Sequence, residues 1–287
     1  MDTQVISYTP LSGLSDEAKH LAKNVPEDQN GEIFAITTQK TVFYPQGGGQ
    51  PSDTGLIALR TSAASKPGLN AEGDGEGNAF QVLLVRKTPD GEILHFGRFP
   101  TTGTSSTHTL TQQPALQLAA DQPVTLRIDA QKRDYHSRLH TAGHILGLAM
   151  RLLAPELGER KKVKANHFPG EACMEFEGLL YNEHKALIQA KVDELVGLDL
   201  AVKISWWGEE EVERRKDELD MVEGREVGGM GKVRIAEIGE LDANPCGGTH
   251  VASTKETGRI TIRKISRQKG VSRVSYEVPV LFGIEGE

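Results

Sequence analysis

Two short stretches of this chain carry residues that one metal ion can join. His140-Thr141-Ala142-Gly143-His144 is an HxxxH inside a strongly helical stretch, and Cys246-Gly247-Gly248-Thr249-His250 is a CxxxH set in a glycine-rich turn far downstream. Together they offer three imidazoles and one thiolate. That is a natural set for zinc, which is borderline-soft and accepts both nitrogen and sulfur donors. Either motif alone is a weak signal, since two buried structural histidines are the commoner outcome of an HxxxH. Their conjunction points to one Zn²⁺ per chain held by His140, His144, Cys246 and His250. Thr141 stands where the general-base glutamate of an HExxH protease would be, so the chemistry differs from theirs or the metal is structural.

These side chains need particular elements to position them. Residues four apart lie one turn apart on a helix face, which aligns His140 with His144. Leu139, Ala142, Leu146, Ala149 and Leu153 recur at three- and four-residue steps and mark the buried face of a helix expected from about Ala130 to Leu153. Asp129 is its expected N-cap, and Pro155 forbids continuation. The CxxxH needs a tight bend, for which Pro245 and Gly247-Gly248 supply turn chemistry and backbone freedom.

A length of 287 residues suggests two domains, and 37% hydrophobic residues suffice for ordinary globular cores. No apolar run approaches a membrane span, and the opening Met1-Asp2-Thr3-Gln4-Val5 is unlike a presequence or secretory leader. With two cysteines, Cys173 and Cys246, there is no disulfide framework, so a cytoplasmic location is expected. The net charge of -7 argues against general nucleic-acid binding. It hides two basic groups: Arg160, Lys161, Lys162 and Lys164, then Arg259, Arg263, Lys264, Arg267, Lys269 and Arg273. Such clusters either track a phosphate backbone or form a solvated surface.

The expected fold class is α+β. Residues 1–128 read as a small antiparallel β-barrel, with strands at Glu32–Thr38, Phe80–Arg86, Ile93–Phe99 and Val124–Ile128. Thr61–Asn78 and Thr101–Gln113 read as insertions too polar to order firmly. Between two strands, Phe43-Tyr44-Pro45-Gln46-Gly47-Gly48-Gly49-Gln50-Pro51-Ser52-Asp53-Thr54-Gly55 exposes backbone N–H groups and admits another chain closely; it is a ligand-binding loop or simply a loose turn. Residues 129–287 read as an α/β domain built on antiparallel sheet and helices. Strands are expected at Ala172–Glu177, Ala201–Ser205, Val233–Ile238, Ile260–Ile265 and Arg273–Val278, with helices at Asn182–Val196 and Glu209–Asp220. The aromatic pair Trp206-Trp207 is either core or a base-stacking surface, and is read as core.

The ordered motifs, from Phe43-Tyr44-Pro45 through Gly48-Gly49-Gln50-Pro51-Ser52-Asp53-Thr54-Gly55 and His140-Thr141-Ala142-Gly143-His144 to Cys246-Gly247-Gly248-Thr249-His250-Val251, resemble the AlaX proteins, free-standing relatives of the editing domain of alanyl-tRNA synthetase. The resemblance covers nearly the whole chain. Its Arg234–Val278 stretch is similar to the small module that follows the editing core in alanyl- and threonyl-tRNA synthetases.

This resemblance implies a trans-editing hydrolase that cleaves the ester of serine, and in some cases glycine, on tRNA(Ala), with zinc on the four residues named above. Aminoacylated tRNA(Ala) is then the partner, met by a monomer with no membrane contact. An aminoacyl ester is already activated, so the harder task is to discriminate serine from alanine by its hydroxyl. Thr141 and Asn166 are the catalytic-site candidates for that work, and Gly47, Gly48, Gly49 and Gln50 the substrate-binding ones. Arg263, Lys264, Arg267, Lys269 and Arg273 are candidates for the tRNA backbone. Gly143 departs from the pattern, standing where many relatives carry threonine or a bulkier residue. Two rival readings remain: a metal-dependent esterase or amidase for small substrates, and a non-enzymatic tRNA-binding zinc module.

Overall fold

Strand-forming residues dominate the N-terminal part, and their alternating burial closes them on one another. The structure, a computed structural model, describes residues 1–26, 32–60, 79–99, 118–215 and 231–281. Strands β1 (Asp2–Pro10), β2 (Phe34–Thr38), β3 (Gly55–Leu59), β4 (Phe80–Lys87), β5 (Ile93–Arg98) and β6 (Pro123–Ile128) form a closed antiparallel barrel in the order β1-β2-β5-β4-β3-β6. Ile36, Ile57, Phe80, Val82, Val85, Val124 and Leu126 pack together in its interior. Helix α1 (Asp16–Leu21) is capped by Ser15 and contributes Ala18 and Leu21 to a second cluster around Phe96.

The barrel is the architecture expected from sequence, but two of its strands, β1 and β3, were not. Strand β1 is mostly half-exposed and shows little alternation; it holds its place by pairing with both β2 and β6. The insertions expected at Thr61–Asn78 and Thr101–Gln113 lie outside the described residues.

The remaining elements are α2 (Ala130–Leu152), α3 (Ala154–Leu157), β7 (Lys162–Asn166), β8 (Cys173–Glu177), α4 (Lys185–Gly197), β9 (Val202–Trp207), α5 (Glu209–Arg214), β10 (Val233–Ile238), β11 (Asp242–Pro245), β12 (Thr261–Gln268) and β13 (Val271–Glu277). They form two antiparallel sheets, β11-β10-β9 and β12-β13-β8-β7. Asp129 caps α2, its carboxylate accepting from Lys132 N–H at 3.0 Å. The expected apolar stripe of α2 is fully buried with Phe176, Ile188, Ile262, Val274 and Tyr276. The charged helix expected to reach Asp220 is described only as far as α5, and 216–220 lie outside the described residues. Of the aromatic pair, Trp207 is buried with Val233, Ile235 and Ala243, as expected of core. Trp206 is 51% exposed, which corrects the reading of both rings as core. Alternation in a strand sends neighbours to opposite faces, so one ring of an adjacent pair must leave that cluster.

Contacts divide the chain into two units, Met1–Gln46 with Ser52–Lys132, and Gly47–Pro51 with Arg133–Glu287. The glycine-rich segment therefore shares its unit with both histidine motifs.

Candidate metal centre

The buried stripe of α2 sets which face of the helix its histidines occupy, and a single turn brings the second motif to them. The ligand atoms of His140, His144, Cys246 and His250 all lie within 4.8 Å of one another. Cys246 Sγ is 3.3 Å from His140 Nε2 and 3.3 Å from His250 Nε2. A tetrahedral zinc with ordinary bond lengths sets neighbouring donors about 3.3–3.6 Å apart. The donor chemistry and the two 3.3 Å separations therefore fit a zinc ion.

The outer nitrogens of two of these histidines are fixed by the protein. Gln50 is fully buried, and its Oε1 accepts from His140 Nδ1–H at 2.6 Å and from Thr249 N–H at 3.0 Å. Its amide donates to Thr249 Oγ1 at 2.8 Å. The bond to Oε1 fixes the tautomer of His140, leaving the Nε2 lone pair aimed at Cys246. Thr141 does the same for His250. Its Oγ1 accepts from His250 Nδ1–H at 3.2 Å and from Val251 N–H at 3.3 Å, while its O–H donates to Ser137 O at 2.8 Å. Thr141 is wholly buried. With the hydroxyl's donor and both lone pairs engaged, contact with a substrate hydroxyl is not available to it. Gly248 N–H donates to Cys246 Sγ at 3.3 Å.

Burial is the main electrostatic force on the cluster. It holds His140 and His144 well below the ordinary imidazole value, and it pushes His250 down to about 3 with help from the Arg234 charge. Neutral imidazole is the form a metal requires. Arg234 donates to the carbonyl of Cys246, and Lys162 reaches Asn244 Oδ1 at 3.5 Å; both charges also depress the cluster's histidines.

The glycines have steric reasons. A Cβ on Gly248 would lie 2.0 Å from His140 Cε1, so the ring occupies the space of the missing side chain. Neither Gly247 nor Gly248 has φ in the left-handed region, so at Gly248 the expectation of backbone freedom gives way to packing. Gly49 does have positive φ, +77°, and a Cβ there would meet Ala165 O at 2.6 Å. Its carbonyl accepts from His167 N–H at 2.8 Å, and this ties the loop to the end of β7. Gly48 also has positive φ, with open space beside it. Gly47 pairs with Gln50 across the turn. Asn166 ends β7 and spends its Oδ1 on Phe168 N–H at 3.0 Å.

Sequence reasoning missed His167 and Tyr276. The His167 ring stacks on His140 with centroids 4.3 Å apart. Its Nδ1–H meets Tyr276 Oη at 2.6 Å, and the Tyr276 hydroxyl donates to Leu139 O at 3.1 Å. Burial, with the Lys162 charge, pushes His167 down to about 3. The signal that could have found this pair is Gly143, whose absent Cβ would lie 2.3 Å from His167 Cε1 and 2.7 Å from Tyr276 Oη.

The basic residues expected to act together do not all share a face. Arg263, Lys264 and Arg273 line one shallow depression of about 330 Å³ with Gly170, Glu171 and Ser275. Arg267 instead pairs in register with the buried Ser272 and lies over the Tyr181 ring at 4.7 Å, on the opposite side of the sheet. Lys269 sits at the β12–β13 turn with φ of 51°.

Known proteins match this chain in the same regions. Residues 233–275 match the family model described as the threonyl and alanyl tRNA synthetase second additional domain. Alanyl-tRNA editing protein AlaX-L of Pyrococcus horikoshii is 27% identical over 264 residues, covering 89% of this chain and 54% of its own length. AlaX-M of Methanosarcina barkeri is 26% identical over 245 residues, covering 84% of this chain and 87% of its own. The alanine–tRNA ligase of Methanothermobacter thermautotrophicus is 27% identical over 273 residues, 91% of this chain but 25% of the ligase. The chain thus spans about half of AlaX-L and a quarter of the ligase. Over most of its length it is similar to free-standing alanyl-tRNA editing proteins and to the corresponding part of alanine–tRNA ligases.

Proposed function

We propose that this protein is an aminoacyl-tRNA hydrolase that removes serine, and in some cases glycine, from tRNA(Ala), with one Zn²⁺ held by His140, His144, Cys246 and His250. The observation that carries the reading is the convergence of those four donors beside Gln50 and the Gly47-Gly48-Gly49 turn, in a chain similar throughout to alanyl-tRNA editing proteins. Zinc at such a site polarises an ester carbonyl or bound water where a coordination position opens, and fixes the shape of the pocket where none does.

The chain's own residues have separable tasks in this reading. Gln50 and Thr141 hold His140 and His250 in the tautomers that face Cys246. Gly48, whose missing side chain leaves open space, lets the 3′ end of a charged tRNA approach the loop backbone. Asn166, at the end of β7 next to the residue that Gly49 holds, is a candidate for reading the serine hydroxyl. A pocket built to hydrogen-bond that hydroxyl rejects alanine, because its polar groups would otherwise go unpaired. Arg263, Lys264 and Arg273 form the surface that meets the tRNA backbone.

The test is deacylation of tRNA(Ala) charged in turn with serine, glycine and alanine. The expected result is rapid loss of serine, slower loss of glycine, and alanine retained. Equal hydrolysis of all three, or of none by zinc-loaded protein, contradicts the reading. Joint charge reversal of Arg263, Lys264 and Arg273 is expected to weaken tRNA binding and flatten its salt dependence, whereas reversal of Arg267 alone has a smaller effect.

A further inference from the structure

The exposed ring of Trp206 has neighbours that give it a use. Trp206 is paired in register with Arg234 on β10, and Arg234 O accepts at 3.0 Å from the N–H of Cys246, the residue that follows β11. Trp206, Arg234 and Cys246 therefore form one cross-strand row, and residues in such a row share a face of the sheet. Two strand spacings, about 10 Å, separate the tryptophan backbone from that of the thiol ligand. The same face carries Ile204 with Ala236 and Asn244, then Val202 with Ile238 and Asp242. Its far end, Val202 and Ile238, packs into the core with Leu195. At its near end the core stops, leaving Trp206 51% and Ile204 40% exposed.

A single exposed tryptophan is ordinary. Here the ring stands next to one cation, Arg234, and a second, Lys162, reaches the same sheet face two strands away. Arg234 donates to the Cys246 carbonyl, and Lys162 reaches Asn244 Oδ1 at 3.5 Å on this face. Among the described residues, no aromatic ring or cation stacks on Trp206, whereas its neighbour Trp207 lies under the Arg215 guanidinium at 4.0 Å. An open π-face next to a cation, in the same cross-strand row as the Cys246 ligand, matches a nucleotide: base on the ring, phosphate toward the cations.

We propose that Trp206 is the stacking platform for the terminal adenine base of the charged tRNA, with Arg234 and Lys162 facing its sugar-phosphate while the ester lies over the metal ligands. This assignment rests on the editing reading above and adds to it the residues that grip the terminal nucleotide. Base–aromatic stacking tolerates exchange of one aromatic for another but not loss of the ring.

The experiment has two arms. In the first, kcat and KM for Ser-tRNA(Ala) deacylation are compared for wild type, Trp206→Ala and Trp206→Phe. Trp206→Ala is expected to raise KM about 5- to 100-fold, with most of that recovered by Trp206→Phe. An unchanged KM in Trp206→Ala, with the wild type active, overturns the assignment. In the second arm, adenosine 5′-monophosphate is titrated against tryptophan fluorescence. Quenching is expected in the wild type and not in Trp206→Phe, whose Trp207 is buried; equal quenching in both, or none in the wild type, also overturns it. If the wild type fails to deacylate any charged tRNA(Ala), the editing reading falls, and the fluorescence arm still decides whether Trp206 binds a nucleotide.

Discussion

Two regions of this protein bury histidine almost completely, and they use it in opposite ways. In the barrel, His95 donates from Nδ1 to Ile36 O at 2.9 Å and meets Thr41 Oγ1 with Nε2 at 2.7 Å. Both nitrogens are spent on the protein. In the second unit, His140 is as buried and His250 half-buried, but each spends only Nδ1, on Gln50 and Thr141, and turns Nε2 toward one sulfur. Burial lowers the proton affinity of all three. Burial and a depressed pKa therefore do not by themselves mark a site. The distinguishing feature is a ring nitrogen that the protein leaves for something else while fixing its partner.

The largest expected break of this comparison is loss of a ligand. His144→Ala or Cys246→Ala should abolish zinc retention and lower Ser-tRNA(Ala) deacylation by more than the 10- to 100-fold that an outer hydrogen-bond partner typically accounts for. His95→Gln should leave both intact, as metal analysis and single-turnover deacylation would show.

Next in size is the barrel histidine's share of the pH dependence of stability. Burial holds folded His95 at about 4, below the 6.5 of free imidazole. Its contribution to stability is complete above pH 6.5 and is lost as the pH falls from there toward 4, where the unfolded chain binds the proton and the folded one does not. The share is of order 3 kcal/mol. Urea unfolding across that window should show a shallower pH slope in His95→Gln than in the wild type; identical slopes would show that His95 is not held neutral.

Gln50→Ala should weaken zinc affinity by about 10- to 100-fold while the fold persists, because His140 loses the acceptor that fixes its tautomer. Competition with a chromophoric chelator reads this directly. The smallest effect is Gly143→Ala. A helix interior normally gains about 1 kcal/mol from that exchange, but here the new methyl collides with His167 and Tyr276, so a net loss of about 1–3 kcal/mol is expected. A gain in thermal stability would show that the His167–Tyr276 pair yields easily.

The parts of the molecule legible in sequence were those whose chemistry is local. The ligands of α2 and the cysteine turn announced themselves by residue type and spacing, and the stripe from Leu139 to Leu153 gave the helix that carries two of them. Val233–Ile238 was read with its bounds intact because three of its residues are β-branched and it is flanked by turn residues. Strands β3 and β11 are short and bounded by glycine-rich or proline-containing turns, so they form through partners rather than propensity. The same holds around the metal ligands. Gln50 lies 90 residues from His140, and Tyr276 lies 109 from His167, so neither partnership leaves a periodic trace. The one trace was a glycine in mid-helix, Gly143, whose cost in helix propensity signals a space that something else must fill. The split of the basic cluster by sheet face was hidden for another reason: a register shift between Ile262 and Lys264 interrupts simple alternation in β12.

The most direct measurement is the zinc content of the purified protein, wild type beside Cys246→Ala and His144→Ala, with circular dichroism to confirm that each is folded. One zinc per wild-type chain, and almost none in either variant, is the expected result. A folded wild type that deacylates Ser-tRNA(Ala) without metal, or a full zinc complement in the variants, would contradict the assignment of these four side chains to a single ion.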